Sequence, residues 1–134
     1  IIKYPEGKVD LTEYSIEEGV VSIEEGAFYH CYKLTKVVIP ESVKSIGNYA
    51  FRGSGLTSIT IPKDVDKINE QVFYFCNKLT SIEISSAIIS IGNYAFDNTK
   101  LGTIIYHGTE DQFKTIKIGR NNTRFTNATV TYSQ

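Results

Sequence analysis

The sequence predicts a solenoid, in which short repeat units stack as successive right-handed coils. Four segments of 22 or 23 residues align with one another, over 11–33, 34–55, 56–78 and 79–100, and a divergent unit follows over 101–134. One such unit cannot bury its own apolar side chains, whereas stacked units bury each repeated position as a continuous ladder. We therefore expect one domain over 1–134, with residues 1–10 as the tail of a preceding unit.

The repeated positions indicate the local structure of each unit. Counted from the leading leucine, positions four and six hold β-branched or aromatic residues separated by one polar residue, which predicts a short strand with one inward face. A second extended stretch is expected around the isoleucine at position thirteen. Position eighteen is always phenylalanine, at Phe28, Phe51, Phe73 and Phe96. We expect a single helical turn to insert each ring into the core, and this ladder to dominate stability.

The last unit has the features of a cap. Thr109 and Gln112 match a capping box, which predicts a short helix with Phe113 and Ile116 on one face. A turn is expected over 119–122, and a final strand over 128–132. A solenoid exposes an apolar cross-section at its end, and a divergent terminal unit covers it.

The repeat pattern L-x-x-I-x-I-P-x-x-V-x-x-I-G-x-x-A-F-x-x-C closely resembles that of the BspA-like leucine-rich repeat family, and LTKVVIPESVKSIGNYAF over 34–51 is its nearest stretch. The resemblance implies a leucine-rich-repeat solenoid, α/β by class, with mostly short β-strands, single helical turns and a divergent C-terminal cap. It also implies a secreted or surface-anchored bacterial protein that acts in adhesion or host-protein binding. The family has no catalytic motif to carry over.

The composition limits the classes of partner. Fourteen basic and 15 acidic residues give a formal net charge of −1, which provides no general attraction to nucleic acid or to an anionic membrane. No apolar run approaches the ~18 residues of a membrane span. We expect a monomer with a protein partner, no nucleic acid and no membrane insertion by this segment.

The residues that could carry chemistry are few. Cys31 and Cys76 share position twenty-one, two units apart. Strand spacings of ~4.8 Å separate them by roughly 10 Å, too far for a disulfide, which needs Cα atoms within ~7 Å. This predicts two free, buried thiols. His30 adjoins Cys31 without a third orienting group, and His107 is expected to be exposed. We expect no catalytic residue, cofactor or metal.

Six acidic residues occur between positions 10 and 25, without a basic one. A calcium site or a contact for a basic partner would use such a cluster, but calcium requires oxygens that converge from one compact loop. These residues are expected on different faces of one coil. We interpret them as a solvated acidic face.

Two surfaces are candidates for recognition. The first is the outward face of the strand ladder, at positions three and five, with Lys36, Val38, Ser58, Thr60, Ser81 and Glu83 at its centre. The second is a group of aromatic residues outside the core positions, of which Tyr29, Tyr74 and Phe75 are the candidates for binding. Tyr29 and Tyr74 share one repeat position, so packing between units is the alternative to binding a partner.

The sequence therefore predicts a non-catalytic protein–protein interaction module, which the family resemblance implies to lie at the cell surface or outside the cell. Repeat proteins bind partners along such extended faces. A structural spacer or stalk is one alternative. A glycan-binding module that uses exposed tyrosines as stacking platforms is the other.

Overall fold

Successive repeat units form successive coils of a parallel β-solenoid in the computed structural model, which describes residues 11–133. We number the coils 1 to 5, over 11–33, 34–55, 56–78, 79–100 and 101–133. The expectation for residues 1–10 lies outside the described residues. Neither helix within 11–133 has the length and apolarity needed to cross a membrane.

Two short strands form in each of coils 1 to 4, at the positions that the sequence predicts, and coil 5 has three. Their β-branched residues alternate with polar ones, so one face is buried and the other is solvated. In chain order the strands are β1 (Glu13–Ser15), β2 (Ser22–Ile23), β3 (Lys36–Val38), β4 (Ser45–Ile46), β5 (Ser58–Thr60), β6 (Lys67–Ile68), β7 (Ser81–Ser85), β8 (Ser90–Ile91), β9 (Thr103–His107), β10 (Lys117–Ile118) and β11 (Thr129–Ser133).

Each strand of coils 1 to 4 pairs with the equivalent strand of a neighbouring coil, in parallel and without a shift in register, and β11 extends one ladder by pairing with β9 inside coil 5. Ile59 lies beside Ile82, and Ile82 beside Ile104, so the same repeat position always faces inward. A shift of one residue would turn every buried side chain outward, which makes this register strongly specified. The sheets are β1–β3, β2–β4, β11–β9–β7–β5 and β10–β8–β6.

Both ladders are interrupted at one junction, between coils 2 and 3. Within residues 11–133, β3 forms no ladder with β5, and β4 forms none with β6. Backbone bonds on the turn side and side-chain bonds hold this junction instead. Asn69 Nδ2 donates to the carbonyl of Ile46 at 2.6 Å, and Arg52 Nη1 donates to Gln71 Oε1 at 2.7 Å.

The third side of each coil is a run of hydrogen-bonded turns, where we expected a helical turn. In coil 2, the N–H groups of Tyr49, Phe51 and Gly53 donate to carbonyls of coil 3, while those of Ala50 and Arg52 donate to carbonyls of their own coil. Three of these five donors therefore bond to the next coil of the stack. The expected helical turn is wrong here, because a helix would direct all of them within the segment.

Two positions of this turn side adopt left-handed backbone in successive coils. Position sixteen does so at Gly26, Tyr49, Gln71 and Tyr94, and position twenty at His30, Gly53, Phe75 and Asn98. In the longer last unit Asn121, which follows Ile118 as Tyr94 follows its ladder partner Ile91, does the same. Left-handed backbone costs an L-residue roughly 1–2 kcal/mol. The stacking bonds of each coil stabilise it against this cost.

The phenylalanine ladder runs through the whole core. The centroid of Phe51 lies 5.1 Å from that of Phe28 and 5.8 Å from that of Phe73, and Phe96 follows at 5.4 Å. All four rings are fully buried. A fifth ring that the repeat pattern did not predict, Phe125, extends the ladder 5.2 Å beyond Phe96.

The cap is partly as predicted. Helix α1 (Glu110–Phe113) begins at Thr109, and both bonds of the capping box are present. Ile116 is buried, Phe113 is half-buried against Tyr106, and the final strand forms as β11. A second helix, α2 (Thr123–Thr126), follows the expected turn and is not predicted by the sequence.

Candidate protein-binding surfaces

The outward face of the strand ladder is solvated, as the alternating pattern requires. Lys36, Ser58 and Thr60 are exposed, and Val38 is 48 % exposed as an apolar residue among polar neighbours. Ser81 and Glu83 lie one coil further on and are half-buried. The strands therefore place all six candidate residues on one continuous surface, which we call the strand face.

A groove crosses the strand face where the ladder is interrupted. It encloses about 290 Å³ between β3 and β5. Lys36 and Val38 line one side, Ser58 and Thr60 line the other, and Val37 contributes to the lining between them. The missing ladder therefore coincides with a depression in the strand face, between β3 and β5.

Glu83 is held by neighbours on both sides. Thr60 Oγ1 donates to Glu83 Oε1 at 3.5 Å, and the imidazole Nε2 of His107 pairs with Glu83 Oε2. His107 is exposed, as predicted. This row fixes the carboxylate of Glu83 beside Thr60, which itself lines the groove.

The candidate tyrosines pack against a residue that the sequence analysis did not select. Arg52 occupies position nineteen, as Tyr29 and Tyr74 do in the coils on either side. Its guanidinium carbon lies 5.6 Å from the ring centroid of Tyr29 and 4.8 Å from that of Tyr74. The three side chains form a cation–π ladder across coils 1 to 3. We call it the tyrosine–arginine ladder.

Other contacts cover more of these rings. His30 stacks on Tyr29 with centroids 4.0 Å apart, and Tyr94 meets Tyr74 edge-on at 5.8 Å. Phe75 is 45 % exposed and contacts Tyr74 at 4.4 Å. Tyr74 is thus half-buried between units, whereas Tyr29, which is 46 % exposed, and Phe75 both keep an accessible surface.

Both cysteines are free and buried, as predicted. Burial raises the pKa of each thiol from 9.0 to about 11. Cys76 Sγ donates to the carbonyl of Phe51 at 2.9 Å and lies 3.3 Å from Ser54 Oγ. A thiol that stays protonated and enclosed at neutral pH is a poor nucleophile.

The remaining titratable residues do not converge on one centre. Residues 11–133 contain no group of three or more His, Cys, Asp or Glu side chains able to hold a metal ion. His30 is exposed and stacked on Tyr29. The acidic residues of coil 1 from Glu13 to Glu25 are exposed, except for half-buried Glu24, and Asp10 lies outside the described residues.

Comparison with known proteins agrees with this geometry. Residues 6–129 match six copies of the BspA type leucine rich repeat region. A search of curated proteins gives no significant match. A solved leucine rich cell surface protein from Faecalibacterium prausnitzii is 31 % identical with a TM-score of 0.61, over 81 % of this chain and 35 % of that one.

A leucine rich repeat protein of T. pallidum is 23 % identical with a TM-score of 0.50, over 82 % of this chain and 69 % of its own. This second likeness supports the fold alone. The chain spans about a third of the length of the Faecalibacterium prausnitzii protein. Because the repeat model matches residues 6–129, nearly the whole of this chain, the chain belongs to the BspA-type leucine-rich-repeat family.

Proposed function

We propose that this domain is a non-catalytic module that binds another protein through its strand face. The observation that carries the proposal is the groove between β3 and β5, because it combines an apolar contact with a polar rim. Interfaces between proteins have this anatomy, in which an apolar centre is surrounded by groups that form hydrogen bonds. Val38 would be the central contact, with Lys36, Ser58 and Thr60 around it.

We further propose that the whole protein is bacterial and acts at the cell surface or in the extracellular space, where this domain adheres to a host protein. The family match and the cell surface protein of Faecalibacterium prausnitzii support this location. A monomer would leave the strand face open to its partner. A spacer or stalk remains the alternative function, and it predicts no specific partner.

The test compares two exposed valines. Purified domain is assayed by biolayer interferometry against a panel of purified extracellular matrix and plasma proteins, and the partner found is titrated with variants. Val38→Lys places a charge in the groove, and we expect it to weaken binding about tenfold or more. Val21→Lys places the same charge at a valine that is 54 % exposed outside the strand face, and it should bind as the parent does.

Equal loss of binding in the two variants would contradict the assignment of the strand face. If no member of the panel binds the parent domain while the folded state is intact, the result favours the spacer. Thermal melts of both variants confirm that they remain folded.

A further inference from the structure

A polar cavity lies on the turn side of the solenoid, away from the strand face. It is open to solvent and has a volume of about 420 Å³, within the range of pockets that hold small ligands. Its walls come from coils 1, 2 and 3, with the tyrosine–arginine ladder on one side. The lining residues are Glu25, Gly26, Tyr29, Tyr49, Arg52 and Gln71.

The cavity exists because coil 1 lacks a side chain that other coils carry. Position sixteen is tyrosine in coils 2 and 4, at Tyr49 and Tyr94, and Gly26 in coil 1. All three residues have left-handed backbone, with φ between 59° and 66°. A Cβ added at Gly26 would meet only the Cβ of Tyr29, at 3.9 Å. The cavity thus occupies the place of a missing tyrosine.

A fixed cation borders the cavity. The guanidinium of Arg52 is held over Tyr29 and Tyr74, and Nη1 donates to Gln71 Oε1. Its Nε is buried and has no hydrogen-bond partner among residues 11–133. A guanidinium has five N–H donors, so Gln71 satisfies only part of its capacity. The ring contacts orient the remaining donors before a ligand arrives, which lowers the entropy lost on binding.

The lining chemistry favours one class of ligand. A planar guanidinium pairs well with a carboxylate, through two parallel hydrogen bonds. Glu25, Gln71 and Tyr49 add oxygens that accept from hydroxyl groups. We propose that this cavity binds a sugar that carries a single carboxylate, with the carboxylate on Arg52 and the hydroxyl groups on Glu25 and Gln71.

An acidic peptide is the competing ligand, and the surroundings disfavour it. Coil 1 presents Glu17, Glu18 and Glu25 as exposed carboxylates, and Glu25 itself lines the cavity. An acidic peptide carries few hydroxyl donors and often several charges, so repulsion would oppose its approach. A sugar acid places one charge at Arg52 and presents neutral hydroxyl groups to the carboxylates.

The experiment is a titration of ¹⁵N-labelled domain followed by NMR. The probes are methyl glucuronoside, its neutral counterpart methyl glucoside, and an end-capped Gly-Gly-Asp-Gly-Gly peptide. We expect saturable shifts of the amides of Gly26, Tyr49, Arg52 and Gln71 with the glucuronoside. The glucoside and the peptide should bind about tenfold more weakly or worse, the size of effect that loss of one charge-assisted contact produces.

Two pairs of variants test the site itself. Arg52→Gln removes the cation and should reduce glucuronoside affinity about tenfold or more, whereas Arg120→Gln removes a cation that does not line the cavity and should not. Gly26→Tyr rebuilds the tyrosine of coils 2 and 4 and should block the cavity. Gly26→Ala has the same left-handed backbone but leaves the cavity open, so it should bind like the parent.

Melting temperatures of the four variants show whether the solenoid is intact. The proposal is overturned if the glucoside binds as tightly as the glucuronoside, or if folded Arg52→Gln retains full affinity. Preferential binding of the peptide would also overturn it and assign the cavity to acidic peptides. These outcomes do not depend on Val38, so they are distinct from the test of the strand face.

Discussion

The side chain of Asn122 replaces a backbone carbonyl of the next coil as the hydrogen-bond acceptor for Phe96. Its side-chain Oδ1 accepts the backbone N–H of Phe96 at 3.0 Å, whereas the N–H of Phe51 donates to the backbone carbonyl of Val72 in the next coil. The carbonyl of Asn122 itself accepts bonds from Phe125 and Thr126 in α2. A side-chain oxygen therefore accepts the bond that a backbone carbonyl accepts in the earlier coils.

Replacement of Asn122 by alanine should destabilise the cap. The variant leaves the buried N–H of Phe96 without an acceptor, which costs about 1–3 kcal/mol. Asn127→Ala, at an exposed asparagine after α2, should be close to neutral. Urea unfolding followed by circular dichroism measures both. Coincident unfolding curves for the two variants would contradict this role of Asn122.

The phenylalanine ladder should carry the largest single contributions to stability. Phe51→Ala or Phe73→Ala removes a fully buried ring that contacts rings on both sides, so we expect a loss of ~3–5 kcal/mol. Tyr32→Ala truncates an aromatic that is 67 % exposed and should change the free energy of unfolding by about 0.5 kcal/mol at most. A thermal melt that shows either phenylalanine variant to be as stable as the parent would reject the ladder.

Gly47 should not tolerate a methyl group. A Cβ at this position would lie 2.5 Å from the backbone nitrogen of Glu25 in the preceding coil, and backbone cannot rotate away. We expect Gly47→Ala to lose about 1–3 kcal/mol of stability through overpacking. Gly102→Ala is the matched control, since its Cβ would meet nothing closer than the carbonyl of Lys100 at 3.9 Å. Equal urea midpoints for the two variants would contradict the close approach of Gly47 to the backbone of Glu25.

Asn98 tests the left-handed backbone at position twenty. It is exposed and has φ of 58°, so its side chain can be changed without disturbing the core. Asn98→Gly should be more stable than Asn98→Ala by about 1 kcal/mol, because only glycine adopts this φ without steric cost. The same pair at Asn77, which lacks a positive φ, should not favour glycine. Chemical denaturation of the four variants decides the comparison.

The thiols should make stability depend on pH in the alkaline range. Burial raises the pKa of Cys31 and Cys76 from 9.0 to about 11. Between these values the unfolded chain has lost protons that the folded chain retains, so stability is complete below pH 9.0 and falls as the pH rises toward 11. Tyrosine and lysine also titrate there, so the measurement is the difference in urea midpoints between the parent and the Cys31→Ala/Cys76→Ala double variant. A difference that stays constant from pH 8 to 11 would contradict it.

The strands and the core were predictable because their signals recur. Position four and position eighteen hold the same residue class in unit after unit, and a ladder is the arrangement that buries them all. The capping box of Thr109 is likewise a local signal and was confirmed. Stacking geometry also sufficed to predict that Cys31 and Cys76 are not bridged.

The missed features depend on departures from the repeat. The last unit is longer than the others, so the spacing that identifies Phe51 or Phe73 did not identify Phe125. Arg52 shares position nineteen with Tyr29 and Tyr74. It was not predicted to pack with them, because only aromatic side chains were expected to pack against one another at this position. Nothing in the sequence marks the interruption after β3. Unit 4 has the same 22-residue length as unit 2, and its strand pairs normally with β9.

The interrupted strand ladders between coils 2 and 3 affect how the domain unfolds. In a repeat protein, stability is a sum over the units and the interfaces between neighbours, so the weakest interface determines where cooperativity fails first. In the strand ladders, coils 1 and 2 form one block and coils 3 to 5 another. The turn-side backbone bonds and the contact of Arg52 with Gln71 join the two blocks. Amide protection in hydrogen exchange is therefore expected to divide at this seam, with each block opening as a unit. A ligand bound in the cavity beside Arg52 would contact coils 1, 2 and 3, and would therefore stabilise the two blocks against separate unfolding.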